Sequence, residues 1–433
     1  MLSEKLFPLL VFFLPFSFAL NPAESIDLSI TRLLIPSFFL IWLLESLKNR
    51  KLLIDTRPRF IFLIFFIFFA SLSYFWAEDS ERVLRKLLFL FSILPVYFIS
   101  FSYFEKKTAL NDFLKALFWS NFIISILGLI QFFGQFLLGI DFMIKITEKY
   151  INPLFLGHNF AQTVSRYPSW LVRVGNFDLL RAFSIFPDPH LFSIFINISL
   201  PFVLLLYFRT KKRFYLVGFI IMLLSSLLSF SRAGYLALIS SFLVSLLVFK
   251  PTNLVKKPFF LASLSLIILC LGFTNNPLKE RLISSFDLSE GSVVGRIEMW
   301  QKGIEITALN PLGGVGLGNF PLFIDRSSTL RNPAYSHNLF LDFSSEAGVL
   351  ASLFVFLMII SPIFSYFTRE KNLIKRTLLF SFLILFVHAF FENPFYSIRV
   401  FPLILILLSL KEGKNICSTK IHLKNKTGKI CLF

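Results

Sequence analysis

Long runs of apolar residues are the feature that most constrains how this chain can fold. A helix needs about 20 apolar residues to cross a bilayer, and shorter runs between charged residues are also candidates. Hydrophobic residues make up 56% of the 433 residues and charged residues only 16%, which excludes an ordinary soluble domain. We therefore expect an all-α, polytopic membrane bundle that forms a single domain over residues 1–433. The twelve predicted spans are residues 6–20, 27–45, 60–76, 87–104, 114–134, 191–208, 214–230, 234–249, 258–274, 345–367, 377–391 and 398–410.

The positions of lysine and arginine predict the orientation of these spans, because positive charge concentrates in cytoplasmic loops. With a cytoplasmic N-terminus, the inside segments hold 26 of the 43 Lys and Arg residues, while the rest of the chain is nearly neutral. Both termini are then cytoplasmic, whether or not the first span is a cleaved signal peptide. The inside segments are residues 1–5, 45–59, 105–115, 209–213, 250–257, 368–376 and the basic tail 411–433.

The net charge of +18 is explained by this orientation. Basic stretches such as residues 209–213 are typical anchors against anionic lipid head groups. We therefore expect the lipid bilayer as a partner and no nucleic acid.

Two outside loops, residues 140–190 and 275–336, are long, whereas every inside loop is short. The working surface is therefore expected on the outside. A carrier of the major-facilitator type usually has a long cytoplasmic segment between its sixth and seventh spans, and here only RTKKR (209–213) joins them. The cores of the predicted spans are nearly free of ionisable groups, and His388 is the exception. Its predicted partner is Glu392, one turn later, in a structural or gating pair, with a catalytic role left open.

The stretch SHNLFLDFSSEAG (336–348) places a histidine at the outer end of the tenth span. Gly348 would lie about three turns below His337 and leave a gap in the helix surface. Asp342 and Glu346 would lie off that face and orient neighbouring helices or bind arginine. On a continuous helix, one stripe would contain His337, Leu341, Ser344 and Gly348.

Three further outer features carry possible anion-binding groups. The glycine-rich stretch GGVGLGNF (313–320) is predicted to be a tight surface loop, with the alternative that its backbone N–H groups hold an anion. Arg232 in FSRAGYLAL (230–238) must lie at the outer boundary, where it faces either an acidic partner or a lipid phosphate. Arg181 and Arg296 have the same two alternatives.

The order SRAG, long outer loop, GVGLGNF and SHNLFLDFSSEAGVL resembles the O-antigen ligase and polymerase superfamily of bacterial envelope glycan enzymes. The resemblance is strongest over residues 220–360. Ligases of this family carry H-[NSQ]-x9-G, which His337, Asn338 and Gly348 match, although Ala351 departs from the last position of the pattern. The R-x10-G pattern of some polymerases is absent from both long loops, which favours a ligase and leaves a polymerase open.

The resemblance implies a membrane glycosyltransferase of the bacterial inner membrane. It would move an undecaprenyl-pyrophosphate-linked glycan to an acceptor such as lipid A-core on the periplasmic face. A histidine suits deprotonation of an acceptor hydroxyl near neutral pH, so His337 is the predicted general base. Arginines suit a departing pyrophosphate, so neither metal nor cofactor is expected. The predicted pyrophosphate ligands are Arg232, Arg181 and Arg296, and the supporting residues are Asn338, Gly348, Ser231, Gly316, Gly318 and Asn319.

Two other classes of function stay open at this point. A transporter on the same scaffold would need polar groups lining the bundle. A non-catalytic partner of an assembly complex would tolerate the loss of His337.

The predicted orientation can be tested with single cysteines introduced into a variant that lacks the three native ones. We expect a membrane-impermeant maleimide to label position 290 in intact cells and to label positions 211 and 424 only after lysis, because positive charge stays inside. Labelling of 211 or 424 in intact cells, with none at 290, would contradict this topology.

Overall fold

A computed structural model describes most of the chain as α-helix. It describes residues 2–23, 26–166, 169–174, 177–248, 291–328, 334–367, 372–411, 418–422 and 431–432. The helices of the N-terminal part are Leu2–Phe13 (α1), Thr31–Lys48 (α2), Pro58–Leu72 (α3), Ser80–Ile93 (α4), Pro95–Tyr103 (α5), Ala109–Leu138 (α6), Ile140–Ile146 (α7), Asn152–Leu156 (α8) and His158–Arg166 (α9). Those that follow are Pro189–Thr210 (α10), Arg213–Leu227 (α11), Arg232–Val248 (α12), Gly291–Leu309 (α13), Phe320–Ile324 (α14), Leu339–Ala347 (α15), Val349–Ser365 (α16), Leu373–Ala389 (α17) and Val400–Ser409 (α18).

The helical prediction is confirmed in its main feature. Each predicted span that lies among the described residues overlaps a helix, while the span 258–274 lies outside them. The total of twelve stays a prediction. Within the described ranges, the stretches long and apolar enough to cross a membrane by themselves are Pro58–Phe75, Ser80–Tyr103, Ala109–Leu138 and Pro189–Thr210.

The expectation of an all-α chain needs one correction, because small antiparallel sheets lie between the helices. They join Ala19–Ala23 (β1) to Ile26–Ser29 (β2) and Leu171–Val174 (β4) to Phe177–Leu180 (β5). A third sheet joins Lys51–Asp55 (β3) to Ser418–His422 (β6), which also pairs with Cys431–Leu432 (β7). Short two-stranded pairs have no sequence signal strong enough to stand out between long apolar runs.

Helix α10 lies at the centre of the bundle. Asp188 caps its N-terminus by accepting hydrogen bonds from the backbone N–H groups of His190 and Leu191, and Pro189 stands at the first helical position, where a missing N–H costs nothing. Nearly every residue from Phe192 to Leu206 is buried. A helix that is apolar all round must be enclosed by others, and α10 packs against α6, α11 and α17.

Polar contacts group the connections into two sets. Segments predicted to be inside meet each other: Leu2 N–H donates to Glu45, Lys106 pairs with Glu4, and β3 pairs with the tail. Segments predicted to be outside also meet each other, as when Trp76 Nε1 donates to the carbonyl of Gly313. These are the same two sets that the charge distribution separates. Which set faces the cytoplasm stays a prediction.

The tenth predicted span is not one continuous helix, so the stripe of His337, Leu341, Ser344 and Gly348 is wrong. Gly348 has a φ of +88° and separates α15 from α16. Ser352 Oγ donates to the carbonyl of Phe340 at 2.7 Å, whereas twelve residues of straight helix would hold them about 18 Å apart. The chain therefore reverses at Gly348, and α15 packs back along α16 as a helical hairpin.

The partner predicted for His388 is also different in the structure. His388 Nε2 lies 3.4 Å from Asn197 Nδ2 on α10, and Asn197 in turn contacts Ser193 and Ser226. The Glu392 carboxylate faces His337 instead. A spacing of one helical turn did not decide the pairing because Glu392 follows the end of α17, where the chain has left the helix.

Candidate active site

His337 lies in a tight turn held on both sides by polar side chains. Asn338 caps α15 by accepting hydrogen bonds from the backbone N–H groups of Phe340 (3.0 Å) and Leu341 (3.2 Å). Ser336 Oγ accepts the N–H of Asn338 at 3.2 Å. Between them His337 has a φ of +56°, a left-handed conformation that is uncommon for residues other than glycine. Its side chain keeps 35% of its surface exposed, whereas Ser336 is fully buried.

A buried carboxylate faces this imidazole. His337 Nδ1 lies 3.6 Å from Glu392 Oε2, which is within ion-pair range and too long for a direct hydrogen bond. The ring of Tyr335 packs against the imidazole with centroids 4.1 Å apart. Burial opposes the charged form of Glu392, but His337, the hydroxyl of Tyr335 and Arg296 together lower its pKa. Glu392 is therefore an anion beside His337 at neutral pH.

The same carboxylate brings other charges into the site. Arg296 on α13 is one of the charges that act on Glu392. Asp188, at the start of α10, lies close enough to repel it: burial and Glu392 raise the pKa of Asp188 to about 7, against the lowering effect of its two backbone hydrogen bonds and of Arg181. Glu392 is thus under the electrostatic influence of His337 and Arg296, and Asp188 is under that of Arg181.

The Arg181 side chain joins two segments of the chain through hydrogen bonds to backbone carbonyls. Its guanidinium donates to the backbone carbonyls of Ser229 (2.7 Å), Phe230 (3.3 Å) and Ser169 (2.9 Å), and only 2% of the residue is exposed. These contacts tie the first long loop to the hairpin between α11 and α12. Three N–H groups of the Arg181 guanidinium are used in this way, which gives the side chain a structural task in the loop.

The hairpin places Ser231 and Arg232 at the outer end of α12. Ser231 Oγ accepts the N–H of Gly234 and lies 3.1 Å from His190 Nδ1. Arg232 is the first residue of α12 and only 5% exposed. Arg232 thus lies at the start of a helix, while its predicted position at the outer membrane boundary and its role toward phosphate stay predictions.

The glycine-rich stretch is not a surface loop. Residues 314–321 are buried against α15 and against the turn before α4. The N–H groups of Val315 and Gly316 donate to the carbonyls of Ser345 and Glu346, both at 2.9 Å. Asn319 exchanges two hydrogen bonds with the backbone of Asp79, at 3.0 and 3.1 Å.

The stretch does bind an acidic group, and that group belongs to the chain itself. The Glu346 carboxylate accepts the N–H groups of Phe320 (3.4 Å) and Gly318 and the hydroxyl of Tyr396 (2.5 Å). Glu346 is only 3% exposed. Both alternatives that the sequence left open for GGVGLGNF therefore change: the stretch is buried, and the acidic group that its N–H groups bind belongs to the chain. Gly316, Gly318 and Asn319 support α15 and do not line the His337–Glu392 pair.

Several important residues were not identified from the sequence as parts of one site. The sequence pairs Glu392 with His388, and it singles out none of Asp188, Tyr335 and Asn393. FEN (391–393) follows the eleventh predicted span on the outer side, the side also predicted for His337. That common location was the available signal.

The arrangement has the parts that a proton-transfer site needs. An imidazole has one nitrogen turned toward a buried anion, and the anion can stabilise the imidazolium that forms when the other nitrogen takes a proton. Arg296 supplies positive charge at the same place. The groups fit proton abstraction from a hydroxyl next to a negatively charged leaving group.

Comparisons with known proteins agree with the motif resemblance. A family model described as O-Antigen ligase matches residues 217–357. The chain is also similar to the ComP-specific O-oligosaccharyltransferase of Acinetobacter baylyi, with 26% identity over 363 residues that cover 74% of this chain. The chain spans about 65% of the length of that relative. No solved structure matches. The resemblance to the O-antigen ligase superfamily is thereby confirmed.

Gly348 offers a test of the helical hairpin. A Cβ built there would lie 2.0 Å from the carbonyl oxygen of Leu312, and the backbone conformation is one that only glycine adopts readily. We expect Gly348→Ala to lose at least about 1 to 3 kcal/mol of stability, measured as a lower thermal midpoint in detergent. Gly295→Ala is the control, since a Cβ there meets nothing within 4 Å. Equal midpoints for the two variants would contradict the hairpin.

Proposed function

We propose that this membrane protein is a glycosyltransferase that moves an undecaprenyl-pyrophosphate-linked glycan to an acceptor hydroxyl on the periplasmic face. The match of residues 217–357 to the O-Antigen ligase family model supports this proposal. The observation that carries the proposal is the pairing of His337 with the buried Glu392. Such a pair can deprotonate a hydroxyl, and the family supplies the class of donor and acceptor.

The chemistry assigns one task to each partner. His337 Nε2 takes the proton of the acceptor hydroxyl while Nδ1 faces Glu392, which stabilises the imidazolium. The acceptor oxygen forms a bond to the anomeric carbon of the glycan, and the bond from that carbon to the pyrophosphate oxygen breaks with its electron pair on the leaving group. His337 is thus the general base and Glu392 the residue that orients it and balances its charge.

The arginines balance the charge of the leaving group. A guanidinium matches two phosphate oxygens at once and needs no metal ion. Arg296 is supported best, because its charge acts on the same carboxylate that faces His337. Arg232 is the second ligand that we assign, from its place at the outer end of α12. Arg181 supports the hairpin that presents Arg232.

Transfer of a glycan to an acceptor hydroxyl is favoured over polymerisation of repeat units. The relative named above is described as an O-oligosaccharyltransferase, a name for transfer of an oligosaccharide to oxygen, and both long loops lack the polymerase pattern. The lipid-linked species that accumulates in a deletion strain distinguishes the two activities: polymer on undecaprenyl supports a ligase, and single repeat units would contradict it. Lipid A-core, another sugar and a protein hydroxyl are acceptors that this chemistry serves equally.

The His337 pair gives a direct test. We expect His337→Ala to reach the membrane at normal abundance and to transfer glycan roughly 10²- to 10⁴-fold more slowly, so that the lipid-linked donor accumulates. Glu392→Gln should lose less activity, because the imidazole remains while its counter-charge is gone. The measurement is transfer in membranes from a deletion strain that expresses each variant.

His158→Ala is the matched control, since His158 is an exposed histidine on α9 and far in sequence from the pair. It should keep full activity. Normal transfer by well-expressed His337→Ala protein would reject the enzyme assignment and favour a non-catalytic assembly partner.

Metal removal tests the arginine assignment. We expect purified protein to keep its transfer rate in excess EDTA, because guanidinium groups neutralise the leaving pyrophosphate. Loss of activity with EDTA and its recovery with magnesium would contradict this, since a divalent ion would then be the group that carries the charge.

A further inference from the structure

Asp342 is a buried carboxylate whose hydrogen bonds reach the residue next to His337. Its Oδ1 accepts hydrogen bonds from the backbone N–H (2.7 Å) and the hydroxyl (2.6 Å) of Ser336. Its Oδ2 accepts one from Asn393 Nδ2 at 2.8 Å. Only 1% of Asp342 is exposed. Both carboxylate oxygens are therefore engaged by the chain.

These bonds join two turns that are far apart in sequence. Ser336 directly precedes His337, and Asn393 directly follows Glu392. Asn393 also donates its backbone N–H to Glu392 Oε1 at 3.1 Å and caps the next turn by accepting the N–H of Phe395 at 3.1 Å. One carboxylate on α15 thus holds the residue before the histidine and the residue after its acidic partner.

The His337 turn needs such support. A non-glycine residue in the left-handed region costs about 1 kcal/mol or more and persists only where neighbouring contacts fix it. The fixing contacts are those of Ser336 and Asn338, and those of Ser336 end on Asp342. If the link to Asp342 is broken, the turn can relax and the distance from His337 to Glu392 is no longer set.

We propose that Asp342 is a positioning residue: through Ser336 and Asn393 it fixes the geometry of the His337–Glu392 pair. This inference rests on the proposed function, because it assigns Asp342 to the same reaction. Asp342 does not contact substrate, since it is buried and both oxygens already accept hydrogen bonds. Its effect is on the chemical step and not on donor binding.

The test exchanges the side chains of Asp342 and Asn393. Asp342→Asn keeps the size of the side chain, but in either amide orientation an NH₂ group faces a donor, either Asn393 Nδ2 or the Ser336 N–H. Asn393→Asp places a second carboxylate opposite Asp342. In the double variant Asp342→Asn with Asn393→Asp, the amide at 342 can donate to the carboxylate at 393 and accept from Ser336, so the link is restored with reversed polarity. Asp325→Asn is the control, because this aspartate is exposed and its carboxylate accepts hydrogen bonds from the nearby Ser327.

The readouts are transfer kinetics and hydrogen exchange, with lipid-linked oligosaccharide from the deletion strain as donor and its membranes as acceptor source. We expect Asp342→Asn to lower kcat about 10- to 100-fold, as for a misplaced catalytic group, with KM for the donor nearly unchanged. Backbone amides in the peptide 334–342 should exchange faster. The double variant should recover most of both losses, and Asp325→Asn should match the parent protein.

The outcomes separate this proposal from the proposed function. If His337→Ala is inactive and Asp342→Asn keeps the parental kcat, the positioning role is wrong while the function stands. If the double variant folds to the parental thermal midpoint and recovers neither kcat nor exchange protection, the link through Asn393 is also rejected. If His337→Ala is active, the proposed function fails, and the exchange data alone then decide whether Asp342 holds the turn.

Discussion

The backbone hydrogen bonds on both sides of Gly348 are the contacts on which the half of the structure that contains His337 depends. A helix that ends inside an apolar bundle leaves N–H and C=O groups that need partners. Here the glycine-rich stretch supplies them: the N–H of Val349 donates to the carbonyl of Pro311, and the carbonyls of Ser345 and Glu346 accept from Val315 and Gly316. The chain can reverse at Gly348 because these groups are satisfied on both sides.

That reversal explains where the candidate site lies. It folds α15 against α16 and directs the N-terminal end of α15 toward the start of α10 and the end of α17. The turn with His337 then faces Glu392, which follows α17, and Asp188, which precedes α10. Three helix ends thus bring ionisable groups together beside the long helices. The site is built from ends and turns, while the long helices act as its scaffold.

The polar interior of the bundle bears on the alternative functions. A buried cluster of polar side chains lies between α10, α11 and α17 and consists of Asn197, Ser193, Ser226 and His388. The interior of the bundle is therefore not uniformly apolar. The cluster lies among fully buried residues. A transport path would require a polar lining along the bundle, whereas His337, Asp188 and Glu392 lie next to the ends of helices. This arrangement favours a reaction at the surface of the membrane.

The sequence by itself determined the helical class and the membrane setting, because apolar runs are a local property. It also singled out His337, because the spacing of His337, Asn338 and Gly348 is local as well. It placed Arg296 and Arg181 on the same predicted side as His337, and their roles toward phosphate stay predictions. Only the tertiary structure decided that Gly348 ends a helix, that the glycine-rich stretch binds Glu346, and that Glu392 faces His337 and not His388. Each of these depends on contacts between segments tens or hundreds of residues apart. A prediction from helical periodicity assumes a continuous helix. It fails at Gly348, where a positive φ and hydrogen bonds to distant residues make a reversal of the chain more stable.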